Sequence, residues 1–168
     1  KLKSELIAYH SRAYKPSLRK RVLTMMAPAS VDVEKLSHLN FELAELFAQV
    51  ALTAIGKADL SPGQVEVIGS HGQTICHAPP GQNDRPGNRG STLQLADPGV
   101  IAARTGVVTV GNFRSADVAL GGQGAPLVPI TDWIMFGDRK ADRVVLNIGG
   151  IANLTWLPAG GSADDILA

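Results

Sequence analysis

The sequence lacks several features that would point to particular protein classes. Cys76 is the one cysteine among 168 residues, so neither an internal disulfide nor a cysteine metal cluster can form, and a reducing, cytoplasmic setting is expected. No apolar run approaches the roughly 18 residues of a transmembrane helix. A net charge of +1 gives no electrostatic reason to expect nucleic acid or an anionic membrane as partner. The phosphate-binding patterns GxxxxGK[ST] and GxGxxG are also absent.

The termini show neither an initiator methionine nor a signal-peptide pattern. The chain opens directly in KLKSELIAYH and stops at DDILA. We therefore expect a piece of a longer protein at both ends.

Helical and strand patterns alternate along the chain, which is typical of an α/β protein with a mostly parallel central sheet. Apolar residues at three- and four-residue spacing predict a helix of 22–25 residues that follows Ser30 or Asp32 as N-cap and ends near Gly56. Residues 1–26 have loose helical patterning that is interrupted at Pro16, and two further helices are predicted at 98–106 and 127–136. Strands are predicted at 65–68, 91–97 and 107–113, of which the last is expected to be buried. An exposed loop or hairpin connection is predicted at 77–91, and a β-hairpin at 142–158 with its turn at 147–150.

The stretch SADVALGGQGAPLVP, residues 115–129, contains one carboxylate, three glycines and two prolines but no lysine or arginine. Glycines next to Asp117 would let the backbone approach a ligand closely. Asp117 could act as a general base that takes a proton from an attacking hydroxyl or water. The alternative is a structural salt bridge with Arg114, three residues earlier.

Two further strand ends combine glycine with polar residues, as ligand sites of open α/β sheets do. His71, in GSHGQT, could orient a substrate hydroxyl or simply bond neighbouring backbone. The NIGGIANLT segment, residues 147–155, could hold phosphate oxygens on converging backbone N–H groups. Gly149 and Gly150 could equally serve only a tight hairpin turn. The remaining histidines have no partners at metal-ligand spacing, and no metal ligand is predicted.

Three segments together resemble the anhydro-N-acetylmuramic acid kinase family: IGSHGQTICH, TLQLADPGVIAARTGVVTVGNFRSADVALGGQGAPLVP and VVLNIGGIANLT. The resemblance covers roughly residues 30–158. It implies an actin/hexokinase-like (ribonuclease H-like) fold of two α/β lobes with ATP in the cleft. Residues 1–140 would form most of the first, sugar-binding lobe, and residues 141–168 would begin the second, nucleotide-binding lobe.

The resemblance also implies a reaction and a set of site residues. A kinase that uses ATP and Mg²⁺ would open a 1,6-anhydro sugar from cell-wall turnover with water and phosphorylate its O6. Asp117 would be the base that deprotonates the water. The residues expected to bind sugar are His71, Gln73, Asp97, Arg114, Gly122 and Gln123, and those expected to bind the nucleotide are Asn147, Gly149 and Gly150. The expected partners are the sugar and ATP, and a homodimer is compatible with this assignment.

The sequence departs from the family's pattern at several places. Its first phosphate loop and the adenosine-binding half of the second lobe are absent from these 168 residues, so we expect this piece alone to be inactive. Asn112 replaces an expected aspartate, and Ala96 replaces an expected glycine. Two alternatives stay open, namely a kinase for another anhydrosugar such as levoglucosan and a non-catalytic sugar-binding remnant.

Overall fold

A computed structural model describes residues 4–27, 31–81, 90–148 and 152–168. The chain divides into two compact units, one of Leu6–Gly124 and one of Ala125–Ala168 together with the first few residues. Helices and strands alternate in both units, which confirms the predicted α/β class. The lobe division expected at residues 140 and 141 concerns the whole protein and stays a prediction.

The first unit, Leu6–Gly124, contains the longest helix and most of the buried side chains. Its elements are α1 (Pro16–Met25), α2 (Val33–Lys57), a 3₁₀ turn (Pro62–Gln64), β1 (Ile68–Gly69), β2 (Gln73–Ala78), β3 (Ser91–Leu95), α3 (Pro98–Thr105), β4 (Thr109–Val110) and α4 (Ser115–Ala119). Residues 4–15 are not helical, and Pro16 begins α1 instead of interrupting a helix. This correction follows from proline's preference for the first helical turn.

Helix α2 is the centre of the first unit's core and confirms the predicted long helix. Its buried face carries Leu39, Leu43, Ala44 and Ala48, and it packs against α3 and β3. Burying each leucine contributes about 1.5–3 kcal/mol. By length and composition alone the helix could cross a membrane, but its packed apolar face identifies it as a core helix of this unit.

Asp32 caps the start of α2, as expected for one of the two candidate caps. Its carboxylate accepts hydrogen bonds from the backbone N–H groups of Glu34 and Lys35, at 3.0 and 3.2 Å. The N–H and the ammonium group of Lys35 hold the pKa of Asp32 below its ordinary value. The other candidate cap, Ser30, lies outside the described residues.

The strands of the first unit are shorter and less parallel than predicted. Strands β1 and β4 pair in parallel over two residues each, whereas β2 and β3 form an antiparallel hairpin. The expected buried strand at 107–113 is therefore wrong in extent, and Val108 within it is 68% exposed. Strand β2 was not predicted at all. The mostly parallel sheet is likewise wrong for the described residues, which form one parallel and two antiparallel pairs.

The second unit contains α5 (Val128–Phe136), β5 (Arg143–Ile148), β6 (Ala152–Leu157) and a 3₁₀ turn (Ala163–Asp165). The antiparallel pairing of β5 with β6 confirms the predicted hairpin. Asn147 and Ile148, expected in its turn, instead belong to the ladder, opposite Asn153 and Ala152. Residues 149–151, between the two strands, lie outside the described residues.

Candidate active site

Asp117 lies on the short helix α4 with its side chain accessible to solvent. The backbone N–H of Gly124 donates a hydrogen bond of 2.6 Å to its Oδ2. The N–H of Gly122 donates to the backbone carbonyl of Asp117 at 2.8 Å, which closes the loop onto the helix. Oδ1 has no hydrogen-bond partner among the described residues. One carboxylate oxygen is therefore fixed, and the other can still accept a proton.

Gly122 lies directly against this carboxylate. A Cβ atom built at Gly122 would stand 2.5 Å from both Cγ and Oδ1 of Asp117. Any side chain at this position would force the carboxylate to move. The glycine is required here by close approach and not by an unusual backbone angle.

Arg114 bonds the same loop from the other side. Its Nη1 donates to the carbonyl oxygen of Gly124 at 2.6 Å, and its Nε donates to Nε2 of His71 at 2.9 Å. The sequence analysis left open a structural salt bridge between Arg114 and Asp117. The ion pairs of the described residues do not include it. The two side chains instead bond opposite sides of one residue, the carbonyl and the N–H of Gly124.

The hydrogen bonds of His71 assign its tautomer. A guanidinium N–H can only donate, so Nε2 of His71 must accept the bond from Arg114. The ring proton then lies on Nδ1, which donates to the carbonyl oxygen of Gly72 at 3.1 Å. Both ring nitrogens are thus engaged within the protein, one by backbone and one by Arg114.

Three other residues predicted to bind sugar have partners of their own. The Tyr14 hydroxyl donates to Oε1 of Gln73 at 3.1 Å, and burial raises the pKa of that tyrosine. Nε2 of Gln123 donates to the carbonyl oxygen of Pro80 at 3.3 Å. Asp97 caps α3, where it accepts from the N–H groups of Gly99 and Val100. The structure therefore joins His71, Arg114 and Asp117 in one hydrogen-bonded set, whereas Gln73, Asp97 and Gln123 bond elsewhere.

The residues expected to bind nucleotide belong to the second unit. Asn147 lies on β5 with its side chain exposed. Gly149 and Gly150 are outside the described residues. Nucleotide binding by these three residues stays a prediction.

Two residues that the sequence analysis did not single out have clear structural roles. Gly124 is buried with φ +66°, and a Cβ there would stand 2.7 Å from Cγ2 of Val118. Asp132, on α5, is buried and accepts a 3.0 Å hydrogen bond from the Thr155 hydroxyl. The signal for Gly124 was present in the glycine-rich stretch, but nothing local in the sequence marks Asp132 as a partner of a residue 23 positions away.

An apolar pocket of about 400 Å³ lies between α2 and β1, and Asp117 is not part of its lining. Phe47, Ile68 and Ile101 contribute to its lining, as does Ser70. The Ser70 hydroxyl is buried and has no hydrogen-bond partner among the described residues. Arg12 and Tyr14 also line the pocket, but its lining contains no carboxylate or histidine. We therefore place the candidate chemistry in the set around Asp117.

Comparison with known proteins places the chain in a family. A family model for anhydro-N-acetylmuramic acid kinase matches residues 1–164. Proteins named anhydro-N-acetylmuramic acid kinase from Caldanaerobacter subterraneus subsp. tengcongensis and Gloeobacter violaceus are 47% and 48% identical to it, over 99% and 92% of this chain. The chain spans 42% and 40% of the length of these two relatives. It belongs to the anhydro-N-acetylmuramic acid kinase family.

Proposed function

We propose that the protein containing this chain is an ATP-dependent kinase that opens 1,6-anhydro-N-acetylmuramic acid with water and phosphorylates it at O6, in peptidoglycan recycling in the cytoplasm. Family membership supports the kinase activity and the sugar. The observation that carries the mechanism is the Asp117 carboxylate, solvent-accessible and fixed at one oxygen by the Gly124 N–H.

The chemistry requires a single proton acceptor at the sugar. A water oxygen forms a bond to the anomeric carbon while the bond from that carbon to O6 breaks. O6 forms a bond to the γ-phosphorus of ATP as the β,γ-bridging oxygen leaves with ADP. The water proton goes to Asp117, which leaves a hydroxyl on the anomeric carbon and a phosphate on O6. Phosphoryl transfer otherwise depends on positioning and charge stabilisation, so one well-placed carboxylate is what this unit has to supply.

The surroundings of Asp117 suit the uncharged bridged ring of the sugar better than a phosphate. Gly122 leaves the space beside the carboxylate free of side-chain atoms. Arg114, the cation nearest in sequence, has its Nη1 and Nε engaged by Gly124 and His71. A bridged sugar ring could therefore approach the carboxylate closely, while two of the Arg114 donor groups are directed at the protein and not at the ligand.

We assign nucleotide binding to the end of β5 and the segment after it, together with the rest of the proposed enzyme. We assign the chain to an actin/hexokinase-like fold in which the β5–β6 hairpin begins the second lobe, and the segment with Asn147, Gly149 and Gly150 receives the β and γ phosphates. Mg²⁺ would arrive with ATP, since it is commonly held by substrate phosphates, waters and one or two protein oxygens. The described residues contain no group of three or more His, Cys, Asp or Glu side chains that could hold a metal, so no metal ligand is assigned.

A coupled assay of ADP release tests the proposal with the full-length protein that contains this chain. We expect ADP release with 1,6-anhydro-N-acetylmuramic acid, and slower release with levoglucosan, which lacks the N-acetyl and lactyl groups. Faster release with levoglucosan would show that the substrate of the protein is another anhydrosugar. Binding of the sugar without ADP release under any condition would identify a non-catalytic remnant.

A further inference from the structure

We propose that His71 and Arg114 are positioning residues that orient the Asp117 carboxylate through Gly124. The inference rests on the proposed function, in which Asp117 is the base, and assigns to two other residues the task of holding it. The proposal rests on a line of three consecutive hydrogen bonds: between Arg114 and His71, from Arg114 to the Gly124 carbonyl, and from the Gly124 N–H to Asp117.

Gly124 is the middle of this line, and its backbone has to be held from outside. Its φ of +66° is one that side-chain-bearing residues rarely adopt, and its neighbour Val118 leaves no room for a Cβ. Glycine is also the residue with the greatest backbone freedom. The bond from Arg114 to its carbonyl restricts that freedom, and the N–H then points at Oδ2 of Asp117. An accurately placed base requires such support, because its own side chain can rotate.

His71 fixes the guanidinium group that performs this task. The planar arginine fork presents its donors at set angles, so a bond on Nε limits where Nη1 can point. His71 accepts that Nε–H at 2.9 Å, while its own Nδ1–H is anchored on the Gly72 carbonyl. A group that orients a catalytic side chain through a second hydrogen bond is a common arrangement in enzymes.

This role differs from the sugar-binding role expected for His71 from the sequence. Both ring nitrogens already have partners, so a sugar hydroxyl could bond His71 only if one of those bonds broke. A residue that binds sugar mainly affects KM when it is changed. A residue that orients the base affects kcat and leaves KM nearly unchanged.

Two substitutions at His71 separate the bonds made by its two nitrogens. His71→Gln places an amide oxygen near the former Nε2 and keeps an acceptor for Arg114. His71→Asn places its amide near Nδ1 and keeps the Gly72 bond, but loses the acceptor. His77→Asn is the matched control, because His77 is also half-buried and bonds the Thr92 hydroxyl on the neighbouring strand.

The measurement is steady-state ADP release by the full-length protein with 1,6-anhydro-N-acetylmuramic acid. For His71→Asn we expect kcat to fall about tenfold to a hundredfold, as misplacement of a catalytic group by about 1 Å does. Its KM values should stay within about twofold, and His71→Gln should recover most of the lost kcat. His77→Asn should retain the parent kcat.

Other outcomes overturn the proposal. A raised sugar KM with unchanged kcat in His71→Asn would return His71 to sugar binding. Equal loss of kcat in the Asn and Gln variants would show that the Arg114 bond is not the one that matters. If His71→Asn does not fold, Arg114→Lys replaces it, because a single ammonium group cannot reproduce both guanidinium bonds, and an unchanged kcat there would exclude the proposed line.

Asp117→Asn distinguishes failure of this inference from failure of the proposed function. If that variant retains the parent rate, Asp117 is not the base and the proposed mechanism falls. If it is inactive while His71→Asn and Arg114→Lys keep the parent kcat, the base assignment stands and only the positioning role falls.

Discussion

Asp117 and Asp132 are two aspartates on short helices, one in each compact unit, and their surroundings differ. Asp117 is accessible to solvent, with one oxygen held by a backbone N–H. Asp132 is 7% exposed and accepts a hydrogen bond from the Thr155 hydroxyl. In the proposed mechanism the first carboxylate takes the proton of a water. The second carboxylate joins α5 to β6 through its hydrogen bond with Thr155 and has a structural role inside the fold.

The comparison shows that the same residue type has different surroundings in the two units, and the surroundings are what the proposed roles depend on. A base needs one fixed oxygen for orientation and one free oxygen for the proton. A buried carboxylate needs every available partner, because an unpaired polar group in the interior lowers stability. Substitutions at these positions should therefore separate activity from stability.

Asp117→Asn should have the largest effect on turnover. The amide cannot accept the proton from water, so kcat for ADP release should fall about 10²- to 10⁴-fold. The amide oxygen can still accept the bond from Gly124, so the melting temperature should stay within about 2 °C. Thermal denaturation and the coupled assay measure the two quantities. A parent-like rate in Asp117→Asn would show that Asp117 is not the base, so that the two aspartates would not differ in catalytic role.

Gly122→Ala should come next, because its new Cβ would occupy the space of the Asp117 carboxylate. A displaced base lowers turnover by up to about a hundredfold. Gly63→Ala is the matched control, since a Cβ at Gly63 meets no atom within 4 Å. The coupled assay measures both variants. Normal turnover in Gly122→Ala would show that the carboxylate can work from another position.

Asp132→Ala should lower stability with little direct effect on the proton transfer. It would leave the buried Thr155 hydroxyl without its acceptor, which costs about 1–3 kcal/mol. Asp132→Asn retains an acceptor and is the matched control. Urea denaturation of the full-length protein measures the loss. A stable Asp132→Ala variant with reduced kcat would place this aspartate in the chemistry and remove the contrast.

Asp97→Ala should have the smallest effect of the four and sharpens the comparison with a third kind of aspartate. Loss of the cap of α3 should lower stability by about 1 kcal/mol. Asp97→Asn keeps a capping side chain and should be nearly as stable as the parent. A raised sugar KM in the stable Asn variant would confirm the sugar-binding role predicted from the sequence. An unchanged KM would show that Asp97 acts only as the cap of α3.

Elements with local signals were predictable from the sequence. The α2 helix has an apolar stripe and the Asp32 cap, and α3 lies between Pro98 and Gly106. The extents of β1 and β4 were not predictable, because a parallel strand ends where its distant partner ends. Strand β2 was not predictable because QTICHA has no alternating apolar pattern, and its strand character comes from pairing with β3.

The candidate site was predictable only in part, for a similar reason. Asp117, Arg114 and His71 were identified by their segments, but the bonds that join them pass through backbone atoms of Gly124 and Gly72. Backbone conformation bears on both departures from the family pattern, although it does not explain the alanine at position 96. Ala96 has φ +82°, a conformation that favours the glycine expected there. Asn112, at φ +56°, is among the residues that tolerate it best.

The β5–β6 hairpin has a consequence for the behaviour of the chain in solution. The outer edge of β5 has no strand partner among the described residues, and Val144, Leu146 and Ile148 along it are exposed. Long free strand edges with apolar side chains are where polypeptides add to one another, whereas edges as short as that of β1 offer little to pair with. In a concentrated preparation of these 168 residues, self-association should begin at β5 and should be visible as light scattering before any loss of helical signal.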